Sequence, residues 1–281
     1  MHFTTLISTA ELAREIHDPH LVVVDCRYDL GDADAGERAY RAGHLPRAQF
    51  MHIDRDLSGA KTGANGRHPL PEVSALVATL GRAGIDPSAQ VVAYDQNNGM
   101  WASRLWWLLR WLGHEVVAVL DGGIDKWMRE SRPVTRDPPS VRPATFVPRT
   151  PAAVASAAEI LDNLGTHSLK VIDARAAERF RGDVEPIDPV AGHIPGALNR
   201  PYSANLSSEG TFKSAARLRE EFSELLDGTA PASVVHQCGS GVTACHNVLA
   251  MAVADLPGSR LYPGSWSEWI AVPTRPVARG E

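Results

Sequence analysis

One feature limits the fold of this chain more than any other: it is written twice. Ser8-Thr9-Ala10-Glu11 returns 148 residues later as Ser156-Ala157-Ala158-Glu159, each a serine with glutamate three residues on, the signature that opens a capped helix. Val22-Val23-Val24-Asp25-Cys26-Arg27 returns at the same offset as Lys170-Val171-Ile172-Asp173-Ala174-Arg175. Gly43-His44-Leu45-Pro46 returns at 149 as Gly192-His193-Ile194-Pro195. Val91-Val92-Ala93-Tyr94-Asp95 returns at 143 as Val234-Val235-His236-Gln237-Cys238, and Leu120-Asp121-Gly122-Gly123 at 142 as Tyr262-Pro263-Gly264-Ser265. Matches in one order with slowly drifting offsets define a duplicated domain.

Between the copies stand Pro133, Pro138, Pro139, Pro143, Pro148 and Pro151. Such density resists regular structure and favours an extended, semi-rigid tether. The chain therefore divides into an N-terminal domain at 1–131, a proline-rich linker at 132–157 and a C-terminal domain at 158–281. Apolar runs predict strands at 21–25, 90–95, 115–120, 169–173, 233–237 and 259–262. Helical patterns fall at 9–17, 72–83, 100–112, 122–130, 156–164, 214–226, 242–254 and 264–270. Strands apolar on both faces, alternating with helices, predict an α/β protein with a parallel sheet flanked by helices in each domain. Ligand sites in such sheets lie beyond the carboxyl ends of strands, which directs attention to the residues just after Tyr94 and Gln237.

Composition removes several function classes. A net charge of −5 over 281 residues argues against a nucleic-acid partner or an anionic membrane surface. The first residues, Met1 to Ile7, show no basic region leading into a long apolar run, so no secretory signal and no membrane span is expected. Three cysteines, Cys26, Cys238 and Cys245, are too few for a disulfide framework and fit a reducing cytoplasm. No cluster has metal-ligand spacing, so neither metal nor cofactor is expected.

After the strand ending at Gln237 comes Cys238-Gly239-Ser240-Gly241-Val242-Thr243-Ala244-Cys245, leading into a helix. A thiol here meets converging main-chain N–H groups at the positive end of a helix dipole, a setting that favours the nucleophilic thiolate. The glycines let the backbone curl around sulfur, and the same N–H groups can hold an anionic adduct. Competing readings are a structural cysteine in a glycine-rich turn and a dinucleotide loop, since Gly239 to Ala244 satisfies G-x-G-x-x-A. Too little chain remains beyond it to complete a dinucleotide fold. A cysteine phosphatase needs arginine six residues after the cysteine, and Ala244 stands there.

The Cys-Gly-Ser-Gly-Val-Thr loop at 238–243 resembles the active-site loop of the 3-mercaptopyruvate sulfurtransferases, within the rhodanese superfamily. Both Gly-His-(Leu/Ile)-Pro elements, Asp173-Ala174-Arg175 and the ending Gly264-Ser265-Trp266-Ser267-Glu268-Trp269 match that superfamily too. The resemblance implies two rhodanese-like domains, of which only the second is catalytic. Asp95 agrees, because it occupies the first copy's cysteine position and a carboxylate cannot become a persulfide.

What the resemblance implies chemically is transfer of a sulfane sulfur from a small anionic donor, 3-mercaptopyruvate or thiosulfate, through a Cys238 persulfide. The acceptor would be a thiol, thioredoxin or cyanide; the alternative is a non-enzymatic persulfide carrier for a protein partner. The N–H groups of Gly239, Gly241, Val242 and Thr243 would hold the persulfide. Arg175 would bind the donor's anionic group, with Arg179 assisting. Neutral Gly239 and Ser240 after the cysteine favour a monoanionic donor over the thiosulfate dianion. Ser240 would relay a proton to the leaving enolate together with His44 and an aspartate, for which Asp34 and Asp32 stand nearest the family spacing. Cys245 is read as a buried thiol, a redox partner being the alternative.

Overall fold

The computed structural model describes residues 2–281, and its packing divides them into two units. The first comprises the chain up to Gly59, Pro71–Ala152 and Ser208–Thr211; the second comprises Ala60–Leu70, Ala153–Ser207 and Phe212–Glu281. Unit composition thus obeys packing and departs from the repeat. Residues 60–70, written in the first copy, pack with the second unit.

In the first unit the order is β1 (Leu6–Ile7), α1 (Thr9–Glu15), β2 (Leu21–Asp25), α2 (Ala35–Ala42), β3 (Gln49–Phe50), α3 (Val73–Arg82), β4 (Gln90–Tyr94), α4 (Ala102–Trp111), β5 (Val117–Leu120) and α5 (Gly123–Arg129). The strands form a parallel sheet in the order β1-β5-β4-β2-β3, with Asp25 opposite Tyr94. Ser8 caps α1 through a complete box with Glu11. The core gathers Val23, Val92, Tyr94, Leu120 and Trp127 from the sheet and its helices.

The second unit repeats the plan: α6 (Ala157–Thr166), β6 (Lys170–Asp173), α7 (Ala177–Arg181), β7 (Leu198–Asn199), α8 (Ala215–Leu226), β8 (Val234–Gln237), α9 (Thr243–Val253), β9 (Arg260–Leu261) and α10 (Ser265–Trp269). Its parallel sheet runs β7-β6-β8-β9, with Asp173 opposite Gln237. Val171, Val235, Phe180, Trp266 and Trp269 share its core. Residues 95 and 238 therefore emerge at the same topological point, one past the carboxyl end of a central strand.

The predicted long strands and helices stand within a few residues of their expected limits. Strands β1, β3 and β7 have no predicted counterpart, because two residues carry no periodicity. Nor have α2, which is largely polar and buries only Gly36 fully, and α7, whose five residues are too few to show a helical period. The proline-rich segment is irregular, as its composition requires, yet it is not a free tether. Ala144, Arg149 and Ala152 donate main-chain hydrogen bonds to Gly81, Leu112 and Trp111 of the first unit.

Candidate active site

The loop from Cys238 to Val242 joins β8 to α9 and is pinned from α10. The Cys238 amide donates to Ser265 Oγ at 3.1 Å, and the carbonyls of Cys238 and Gly239 accept the N–H groups of Trp266 and Ser267, each at 2.9 Å. Ser265 holds the left-handed backbone (φ 53°), a conformation that is strained for a residue with a side chain. Gly241 is also left-handed (φ 78°), and a Cβ there would lie 2.3 Å from the carbonyl oxygen of Pro263, so only glycine fits. Its N–H donates to Cys238 Sγ at 3.2 Å. Val242 caps α9 and Thr243 is its first residue, placing the sulfur at a helix N-terminus.

Cys238 is 2 % exposed, less open than the sequence implied. Its surroundings are polar nonetheless. Ser240 Oγ lies 2.7 Å from His68 Nδ1. A Cβ at Gly239 would lie 3.1 Å from Nη2 of Arg67 and 3.8 Å from both terminal nitrogens of Arg179, so two guanidinium groups border the residue beside the nucleophile. Asp188 joins them, accepting from Arg67 Nη1 at 2.6 Å and Arg179 Nη2 at 3.0 Å. Cys245 is fully buried and its thiol donates to the carbonyl of Gly241 at 3.3 Å.

Two expectations are corrected. The ring of His44 is engaged within the first unit, stacked on Tyr40, with Nδ1 and Nε2 facing the carbonyls of Tyr40 and Asp137 at 2.9 and 3.1 Å. His193 repeats this arrangement, stacked on Phe180 with Nδ1 at its carbonyl, so both Gly-His-(Leu/Ile)-Pro elements lock a turn. The histidine beside Ser240 is His68. Asp32 and Asp34 are exposed in the first unit, Asp32 paired with Arg38.

Arg175, expected to bind the donor, has a side chain only 1 % exposed. Its guanidinium pairs with Asp173, donates to the carbonyl of Gly192 and lies 4.7 Å from the centre of the Trp266 ring. Arg27 makes the matching bonds to Asp25 and Gly43. The guanidinium is buried and paired in the same way in both copies. Arg179 and Arg67 are the arginines near Gly239, with side chains 16 % and 22 % exposed.

Arg67 and His68 are absent from the expectations because they are written in the first copy and have no counterpart in the second. The signal for them is the repeat offset, which falls from 149 to 143 between Pro46 and Val91 and marks extra residues there.

Asp95 follows the last residue of β4 as Cys238 follows the last residue of β8. Its carboxylate accepts main-chain N–H groups of Asn97, Gly99, Trp101 and Ala102 at 2.6–2.9 Å. The first copy thus keeps an anion cradle and fills it with its own side chain. Burial pushes the Asp95 carboxyl up, against the pull of those donors.

The rhodanese-like domain model matches residues 8–130 and 156–272, and the chain belongs to the rhodanese family. It is a tandem-domain sulfurtransferase of that family. It is 45% identical over 284 residues to the "Probable 3-mercaptopyruvate sulfurtransferase" of Pseudomonas aeruginosa, covering 100% of both chains. It is 33% identical to the thiosulfate sulfurtransferase of Rattus norvegicus, covering 99% of this chain and 97% of that one. Among solved structures it is similar to the 3-mercaptopyruvate sulfurtransferase from Leishmania major (TM-score 0.83, 31% identity, 95% of this chain and 74% of that one). It is also similar to SseA from Escherichia coli (TM-score 0.80, 31% identity, 94% and 99%). No helix among the described residues is long and apolar enough to cross a membrane.

Proposed function

We propose that the second unit carries the reaction and that its preferred donor is 3-mercaptopyruvate or a similar thiol-bearing keto acid. The Cys238 thiolate attacks the donor sulfur, the donor's carbon–sulfur bond breaks, and the enolate of pyruvate leaves. The proton carried on the donor thiol reaches the enolate carbon, leaving pyruvate and Cys238–S–S⁻. An acceptor thiolate or cyanide then takes the outer sulfur, restoring the Cys238 thiolate. The N–H groups of Gly241, Val242 and Thr243 at the start of α9 hold the persulfide anion.

The observation that carries the choice of donor is the contact of Ser240 with His68 beside the nucleophile. A leaving enolate needs a proton delivered, whereas sulfite leaving from thiosulfate does not. Arg67 and Arg179 take the donor carboxylate, a role that Arg175 is too deeply paired to fill. The first unit's Asp95 loop is catalytically silent. We place the protein in a reducing compartment such as the cytoplasm, with a small thiol or thioredoxin as acceptor.

Two assays decide this. Intact mass after incubation with 3-mercaptopyruvate is expected to show one added sulfur, absent in Cys238→Ser. Ser240→Ala is expected to lower kcat with 3-mercaptopyruvate about a hundredfold and spare thiosulfate. Equal losses with both donors would remove the proton-relay argument; sulfur uptake without turnover to cyanide or dithiols would point to a carrier for a protein partner.

A further inference from the structure

We propose that Asp188 sets donor selectivity: by bridging Arg67 and Arg179 it cancels their surplus positive charge and favours singly charged donors over doubly charged ones. The inference rests on the sulfur-transfer reading of this site.

Asp188 lies on the turn Glu185-Pro186-Ile187-Asp188-Pro189, stiffened by two prolines and by Ile187 and Asp188 N–H groups donating to Glu185 Oε1 at 3.1 and 3.0 Å. Its side chain is 2 % exposed; Oδ1 accepts from Arg67 Nη1, and Oδ2 accepts from Arg179 Nη2 at 3.0 Å and from Arg67 Nη2 at 3.5 Å. Glu185 takes the rest of Arg179 and touches Arg175 at 3.4 Å. Burial disfavours the charged form of Glu185, but Arg179 and the main-chain donors outweigh it and hold its carboxyl below the usual carboxylate range. The guanidinium groups of Arg67 and Arg179 beside Gly239, and of Arg175 behind them in the same ion-pair network, are therefore matched, charge for charge, by Asp188, Glu185 and Asp173.

Two arginines beside a nucleophile would ordinarily attract a dianion most strongly. With the carboxylates in place they still offer directed N–H donors to one carboxylate but no net field for a second charge. Removing one carboxylate leaves a full positive charge uncompensated beside Gly239, in a partly desolvated place where screening is weak. A dianion gains about twice what a monoanion gains from that added charge.

The test compares kcat/KM for thiosulfate and 3-mercaptopyruvate in wild type, Asp188→Asn and Asp188→Glu. Asp188→Asn is expected to raise the thiosulfate to 3-mercaptopyruvate ratio on the order of tenfold, mainly through KM, and to steepen the loss of thiosulfate activity with salt. Asp188→Glu, which keeps the charge, is expected to keep the wild-type ratio. If Asp188→Asn alters both donors equally, or Asp188→Glu shifts the ratio as far, Asp188 only holds arginines and the inference is overturned. Should Asp188→Asn not fold, Glu185→Gln carries the same charge change, and an unchanged ratio there overturns it as well. Wild-type protein that takes sulfur from neither donor overturns the underlying reading and this inference together, whereas normal uptake with an unmoved ratio removes the inference alone.

Discussion

Ser240 and His68 meet at 2.7 Å although 172 residues separate them along the chain. The pair is expected to act as one unit. His68→Ala should lower kcat with 3-mercaptopyruvate about a hundredfold, and the Ser240→Ala, His68→Ala double variant should be little worse than either single one. His44→Ala, which removes a buried ring stacked on Tyr40 together with its contacts to the carbonyls of Tyr40 and Asp137, should lower the melting temperature by several degrees and leave the donor ratio alone. Loss of 3-mercaptopyruvate turnover in His44→Ala at an unchanged melting temperature would reverse the assignment.

Asp95→Ala should destabilise the protein by about 3 kcal/mol or more, because it strands a set of buried N–H groups with no acceptor. Urea unfolding measures this. Sulfur uptake at Cys238, read by mass on the folded protein, should persist. A lost persulfide in a fully folded Asp95→Ala protein would show that the first copy's loop takes part in the chemistry.

Arg175 and Arg67 should fail in different ways. Arg175→Ala leaves Asp173 buried without its partner and should cost about 3–5 kcal/mol, seen as a collapsed melting transition. Arg67→Ala, at a site one-fifth exposed, should leave most of the stability and raise KM for the donor. A stable Arg175→Ala protein with only a raised KM would restore Arg175 as the donor's partner.

His236, buried in β8 against Met251 Sδ at 3.1 Å, gives the fold an acid sensitivity. Burial, helped by the charge of Arg200, holds its imidazole down at about 3, against about 6.5 when unfolded. Between those values the unfolded chain binds the extra proton. The stability contribution is therefore whole above about pH 6.5 and declines as pH falls toward 3, by at most about 1.4 kcal/mol per pH unit. His236→Leu should flatten that slope in urea titrations at pH 7 and pH 4.5; an identical slope in the variant would acquit this histidine.

The architecture was legible because its signals are local. Runs such as Val22-Val23-Val24 and Val234-Val235 announce buried parallel strands, and a serine with glutamate three residues on announces helix starts. Repetition of those signals exposes two domains without any knowledge of their packing. The nucleophile was legible for the same reason: Cys238, its glycines and the start of α9 are contiguous, and contiguous residues dictate local backbone geometry.

Arg175 and His44 sit in motifs too, yet motif position says nothing about which groups satisfy a side chain's hydrogen bonds. Burial decided that Arg175 answers Asp173 and Gly192, and that His44 answers Tyr40 and Asp137. By itself the chain determined its duplicated α/β plan, the placement of Cys238 at a strand end, and the inability of Asp95 to carry sulfur. Only the tertiary structure decided which arginines border Gly239 and which histidine reaches Ser240. Arg67 and His68 come to the site from residues 60–70, whose packing with the second unit is a long-range burial outcome that no spacing rule encodes.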